Sequence, residues 1–315
     1  MPPLAGPGPG GHLPAAIEGS GGVDGPRPEP REPAAGGTVR DSEHRVRIAD
    51  GELHLRVRGR GPRLLMLHGL TAHGGAWEPV VRRLERQFTL VVPDLLSRGR
   101  SEPRPDLSHG LARETARARE VARATGTAGA PVVGHSQGAA LAAALAVGPG
   151  TPAGLVLVCP VTPWTRRPAV LEALRSPAVR RAAASLAVRL RRPVGRWVLR
   201  HRVFADPGRV DPATVERYAA PWARPLRARA LLRVLADWRP RELAGRLPAD
   251  PPPCRVLAGD RDRRVRPGEA RRLARRLGAD FERIEDAAHM VPVEAPGAVA
   301  RAVESVSDVR REREV

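Results

Sequence analysis

The chain has 315 residues, a formal charge of +19 and a pI near 11.6, a balance that first suggests a nucleic-acid binder. All 53 basic residues are arginine, with no lysine and no asparagine, so GC-rich coding accounts for part of that charge and weakens it as evidence about partners. The absence of a long uninterrupted apolar run argues against a transmembrane helix, and two cysteines do not make a disulfide framework.

Residues 1–40 hold ten Gly and nine Pro and are expected to be a disordered tail. The opening MPPLAGPGPGGHLP has neither a charged n-region nor an apolar h-region, so no secretory signal is expected and the expected compartment is the cytoplasm. From His44 to Ile48 and from Glu52 to Arg58, charged and apolar residues alternate as in half-exposed strands. Asp50-Gly51 is the turn between them.

Arg63–His68 and Phe88–Pro93 are continuous apolar runs, which fit strands buried on both faces of a parallel sheet. The pattern predicts helices over Glu78–Gln87 and Leu107–Thr125. A short strand follows at Pro131–Gly134, an alanine-rich helix at Gln137–Val147, and a strand at Gly154–Cys159. Residues 160–246 show no strand run. Their helical stretches are Pro168–Arg175, Pro177–Arg192, Pro212–Ala219 and Pro225–Trp238. Alternation resumes with the strand Arg255–Gly259, the helix Gly268–Leu277, the strand Asp280–Ile284 and the helix Pro296–Val306.

Strands alternating with helices predict an α/β fold with a mostly parallel sheet. The expected division is a core over 43–159 and 247–306, a helical lid over 160–246, and a charged C-terminal tail over 307–315. Cys159 closes one strand and Cys254 opens its expected neighbour, roughly 15 Å away, which precludes a disulfide.

Gly134-His135-Ser136-Gln137-Gly138 is G-x-S-x-G between a strand and a helix. A tight strand-to-helix turn holds such a serine in a strained conformation with its hydroxyl presented, and only glycine fits two residues either side. The helix that follows aims its N-terminal dipole at the site.

Here the chain resembles the α/β-hydrolase superfamily, in its lidded, serine-nucleophile, esterase-like branch, over about residues 43–306. Three further matches carry the resemblance. His68-Gly69-Leu70 with Trp77 is similar to the family's HG…W loop. Asp94-Leu95-Leu96-Ser97-Arg98-Gly99-Arg100-Ser101 resembles D-x-x-G-x-G-x-S, with Ser97 in place of the first glycine. Gly259-Asp260-Arg261-Asp262 and Asp286–Pro296, which contains His289, resemble the family's late acid and histidine loops.

The resemblance implies Ser136 as nucleophile, His289 as general base and acid, and Asp262 as the orienting carboxylate, with Asp260 as the backup acid. Backbone N–H groups of Leu70 and Gln137 would form the oxyanion hole. His68 and Asp94 are expected to shape loops. No cofactor and no metal are implied.

The expected function is a serine hydrolase that cleaves a carboxylic ester, thioester or lactone through an acyl-enzyme on Ser136. Acyltransferase, perhydrolase and carbon–carbon hydrolase chemistry on the same residues stay open, as does a non-catalytic ligand-binding role. Dehalogenases and epoxide hydrolases of this fold place aspartate at the elbow, which disfavours those activities. Residues 160–246 hold 20 Arg and 6 acids, so a small-molecule acyl substrate of anionic character is one expectation for the lid, against a bland solvated face. Nucleic acid is not expected as a partner, because aromatic residues that stack bases make up 3% of the chain.

Overall fold

A computed structural model describes residues 40–314. The predicted N-terminal tail over 1–40 lies outside these residues, except Arg40, which begins the first strand. The strands are β1 (Arg40–Ile48), β2 (Gly51–Gly59), β3 (Arg63–Leu67), β4 (Thr89–Pro93), β5 (Val132–His135), β6 (Leu155–Val158), β7 (Cys254–Gly259) and β8 (Asp280–Ile284). They form one sheet in the order β1-β2-β4-β3-β5-β6-β7-β8. β2 runs antiparallel to β1 and β4, and all pairings from β4 to β8 are parallel.

The helices are α1 (Glu78–Leu84), α2 (Leu111–Ala124), α3 (Gln137–Leu145), α4 (Pro177–Val198), α5 (Pro212–Ala219), α6 (Pro225–Asp237), α7 (Pro267–Arg276), α8 (Val291–Glu294) and α9 (Pro296–Glu314). Successive side chains of a strand point to opposite faces, and the central strands sort their residues accordingly. Leu65 and Leu67 of β3 pack on the side of α2, α3 and α7, whereas Leu64 and Met66 pack on the side of α1 and α9. β6 repeats the division, with Leu155 and Leu157 on one side and Val156 and Val158 on the other. Two cores are filled this way, which is why these strands read as unbroken apolar runs. Each fully buried Leu or Val contributes about 1.5–3 kcal/mol.

Between β6 and β7 the described chain forms no strand. Instead α4, α5 and α6 with short turns occupy 169–246. α4 and α6 share a small core of Leu174, Ala184, Ala228, Leu232 and Ala236.

Four sequence expectations need correction. The helix predicted from Leu107 begins at Leu111, because Gly110 is extended and the His109 N–H is tied to Asp237. The helix predicted to Gln87 ends at Leu84, and residues 85–87 form a turn bonded back to Val81 and Leu84. α4 does not stop before Pro193 but runs through it to Val198. The proline only deprives the Arg189 carbonyl of its helical donor, while Ala184 packs on α6 before it and Val198 packs beside Leu199 and Val203 after it. Residues 307–314, read as a tail, continue α9 to Glu314 with no proline or glycine to end it.

Cys254 pairs with Leu155 in the β6–β7 register, so Cys159 lies four residues further along the strand direction. Both cysteines are free.

Candidate active site

The loops at the C-terminal ends of β3, β4, β5 and β7, and the loop after β8, converge on Ser136. Ser136 sits between β5 and α3 at φ 55°, in the left-handed region that β-carbon-bearing residues avoid. A β-carbon at Gly134 would collide with the Gly138 carbonyl, and one at Gly138 with the Leu67 carbonyl, so neither position accepts another residue. The Ser136 N–H bonds the Val158 carbonyl at 2.9 Å, which fastens the turn to β6.

The structure brings Ser136, His289 and Asp262 together from 126 and 27 residues apart in sequence. Ser136 Oγ lies 3.0 Å from His289 Nε2, and Asp262 Oδ2 lies 2.8 Å from His289 Nδ1. The carboxylate acceptor makes Nδ1 the protonated nitrogen, leaving Nε2 to accept from the serine hydroxyl. Burial pushes the Asp262 carboxyl up. The His289 charge and hydrogen bond, with backbone N–H bonds from Val265 and Arg264, outweigh burial and hold it below its ordinary value. Asp260, the backup acid, does not join this chain: His289 Nδ1 is taken by Asp262, and Asp260 Oδ1 is buried without a hydrogen bond.

Leu70 lines the cavity at Ser136, and Gln137 follows Ser136 in the chain. Among the described residues, no protein acceptor takes either backbone N–H. His68 is bonded on both ring nitrogens: Nδ1–H donates to the Gly69 carbonyl at 2.8 Å, and Nε2 accepts from Leu95 N–H at 2.9 Å. Burial lowers it to about 4, so it is a neutral bracket between two loops. Asp94 is the other bracket, accepting from the Gly74 and Arg100 N–H groups and from His54. Burial opposes its charge, but these donors, His54 foremost, hold it at about 2. Glu294, five residues after His289, accepts from Ala205 N–H at 2.7 Å and Ala288 N–H at 2.9 Å, fixing the loop that carries His289.

Ser97, which replaces the first loop glycine, adopts φ 69°. Its hydroxyl lies 3.3 Å from His109 Nε2 and accepts from Arg104 N–H at 2.9 Å. The turn that glycine would allow is therefore kept, with side-chain bonds offsetting the strain.

Sequence reasoning missed four contributors. Arg98 is fully buried and donates to the Leu70 and Leu96 carbonyls, Glu114 and the Gln137 side chain. His135 donates from Nε2 to the His289 carbonyl at 2.7 Å, and burial lowers it to about 3, so it stays neutral. Arg191 and Arg264 line the cavity at Ser136. Only the elbow motif could have flagged His135, because it stands inside it; the arginines are invisible among 53.

The cavity has a volume of about 490 Å³ and a mostly apolar wall from Leu186, Leu190, Val194, Val198, Val203 and Met290. Among the described residues, no carboxylate lines it. His135, Cys159 and His289 place a ligating atom each within 4.8 Å of one another. Those atoms are engaged, however: His135 with the His289 carbonyl, His289 with Ser136 and Asp262, and Cys159 Sγ with the Ala288 carbonyl. Burial also holds the Cys159 thiol well above its ordinary value, away from the thiolate a metal needs.

A sequence profile described as "Alpha/beta hydrolase family" matches residues 64–302. A pimeloyl-[acyl-carrier protein] methyl ester esterase of Stenotrophomonas maltophilia is 47% identical over 49 residues, 16% of this chain. That match spans only 19% of the relative's own length. The magnesium-chelatase 30 kDa subunit of Rhodobacter capsulatus is 27% identical over 73% of this chain and 81% of its own. Among solved structures, an alpha/beta hydrolase fold protein from Burkholderia ambifaria superposes with a TM-score of 0.74 at 24% identity, covering 83% of this chain and 97% of that one. At that identity the likeness speaks for the fold.

Proposed function

Since the chain belongs to the alpha/beta hydrolase family, we propose that it is a serine hydrolase acting on a carboxylic ester or related acyl compound. The observation that carries this reading is the unbroken hydrogen-bond chain Ser136 Oγ–His289 Nε2 and His289 Nδ1–Asp262 Oδ2, at 3.0 and 2.8 Å. Ser136 Oγ attacks the acyl carbon while His289 Nε2 takes its proton. The N–H groups of Leu70 and Gln137 receive the charge that develops on the carbonyl oxygen, a stabilisation of several kcal/mol. His289 returns the proton to the leaving alcohol as the carbon–oxygen bond breaks. In the second half-reaction His289 takes a proton from water, hydroxide adds to the acyl carbon, and the acid leaves Ser136 with its proton restored. Asp262 holds the imidazole tautomer and stabilises the imidazolium.

Residues 160–246 act as the cap over this site, since α4 supplies much of the cavity wall. Arg191 and Arg264 in a cavity without carboxylates favour an acyl substrate that bears a negative group.

The test is hydrolysis of p-nitrophenyl esters of graded chain length with fluorophosphonate labelling. Activity and labelling that both vanish in Ser136→Ala support the reading. Ester hydrolysis that persists in this variant refutes it.

A further inference from the structure

The cavity at Ser136 opens along α4, and the same helix carries most of the exposed large apolar side chains. Of eight such side chains among the described residues, five lie on α4: Val179, Leu186, Leu190, Val194 and Trp197. With Ala183 they recur at steps of four, three, four, four and three residues, which aligns them along one side of the helix. Leu186, Leu190 and Val194 also belong to the cavity wall, so this line is continuous with the route to Ser136. The 22 residues of α4 include six arginines and no carboxylate.

We propose that α4 docks on an anionic lipid surface and that the substrate is an ester with a long acyl chain, drawn from that surface along the Leu186–Leu190–Val194 line. The delivery step rests on the serine-hydrolase reading; the docking step does not. A row of apolar side chains left in water on a soluble helix gains about 25 cal/mol per Å² when covered by acyl chains. Trp197, 56% exposed near the C-terminal end of the line, is of the type that settles at the headgroup level. Arg189 and Arg196 have stems long enough to follow an apolar boundary while their guanidinium groups reach lipid phosphates. A second copy of the chain fits worse, because pairing two α4 faces brings the flanking Arg189 and Arg196 against their own copies with no carboxylate on either helix.

The experiment is cosedimentation of the full-length Ser136→Ala protein with vesicles of phosphatidylcholine alone, and of phosphatidylcholine mixed with phosphatidylglycerol. Binding to the mixed vesicles only, weakened by salt, is the expected result. Arg189→Gln/Arg196→Gln weakens it roughly thirtyfold, and Trp197→Gln about tenfold, with circular dichroism reporting that each variant is folded. Quenching of tryptophan emission by brominated lipid, lost in Trp197→Gln, supports the same contact. With Ser136 intact, Trp197→Gln lowers the rate on a long-chain ester held in anionic vesicles about tenfold relative to that variant's own rate on p-nitrophenyl acetate.

Equal binding to neutral and anionic vesicles, or none, overturns the proposal. So does dimerisation through α4, or binding of an acidic protein, without vesicle binding. Vesicle binding combined with undiminished hydrolysis by Ser136→Ala supports the docking surface and overturns the serine reading alone.

Discussion

The buried guanidinium of Arg98 donates to the side-chain carbonyl of Gln137 at 2.9 Å and, through Nε, to the Leu70 carbonyl at 3.2 Å. One side chain thus holds both residues whose N–H groups face the reacting carbonyl in the proposed mechanism. Glu114 secures it at 2.7 Å, and Glu114 in turn bonds His109 and Arg117.

Replacing Arg98 by methionine should therefore lower kcat more than it raises KM, because the two N–H donors lose their alignment. Leaving Glu114 buried beside fewer cations should cost about 3–5 kcal/mol. Steady-state kinetics and urea unfolding check the two effects. An Arg98→Met protein with wild-type kcat would refute the positioning role.

The same cluster predicts acid sensitivity. Burial pushes Glu114 up, but the Arg98 charge, the His109 hydrogen bond and the Arg117 charge hold it at about 2, below its ordinary 4.5. Its folded value is depressed, so its contribution is present above pH 4.5 and is lost as pH falls toward about 2. Asp262 acts in the same direction below its ordinary 3.8. Thermal unfolding followed between pH 5 and pH 2 on an about unit-spaced series should show falling stability, and Glu114→Gln should flatten part of that slope.

Asp262→Asn and Asp260→Asn separate the two candidate acids. The first should lower kcat by about 10⁴ through loss of the correct imidazole tautomer. The second should leave kcat within about threefold of wild type, since Asp260 makes no bond to His289. Comparable loss in both would overturn the assignment.

His135 donates to the His289 backbone and is held neutral by burial, so its role is to place the loop. His135→Phe should lower kcat about fivefold to tenfold, the worth of one hydrogen bond. The shape of the pH–rate profile should not change. A new inflection or a lost limb would indicate a proton-transfer role instead.

Ser97 combines strain with useful bonds, and two variants divide them. Ser97→Ala keeps the positive φ and loses the bonds to His109 and Arg104, so it should destabilise by about 1–2 kcal/mol. Ser97→Gly loses the same bonds but relieves the strain, and should unfold at a higher temperature than Ser97→Ala. Calorimetry gives the order.

Local chemistry was legible without the fold. The apolar runs of β3–β7 announced strands buried on both faces, and G-x-S-x-G between a strand and a helix announced the turn at Ser136, because the glycines are fixed by steric contacts within a few residues. Late histidine and acid loops were legible only as a resemblance, and Asp260 against Asp262 stayed open there. The turn after β7 decides which carboxylate meets His289: Asp260 and Asp262 both follow Gly259, and the Arg264 and Val265 N–H bonds to Asp262 Oδ1 leave its Oδ2 on His289 Nδ1. Packing also decided what propensity misjudged: α4 passes Pro193, with Ala184 packed on α6 before it and Val198 packed beside Leu199 and Val203 after it. The burial of Arg98, the contact of His135 with the His289 carbonyl and the exposure of the apolar line of α4 are not legible in sequence order. Their roles come from distances across the fold, and a chain with 53 arginines does not mark in advance which of them it buries.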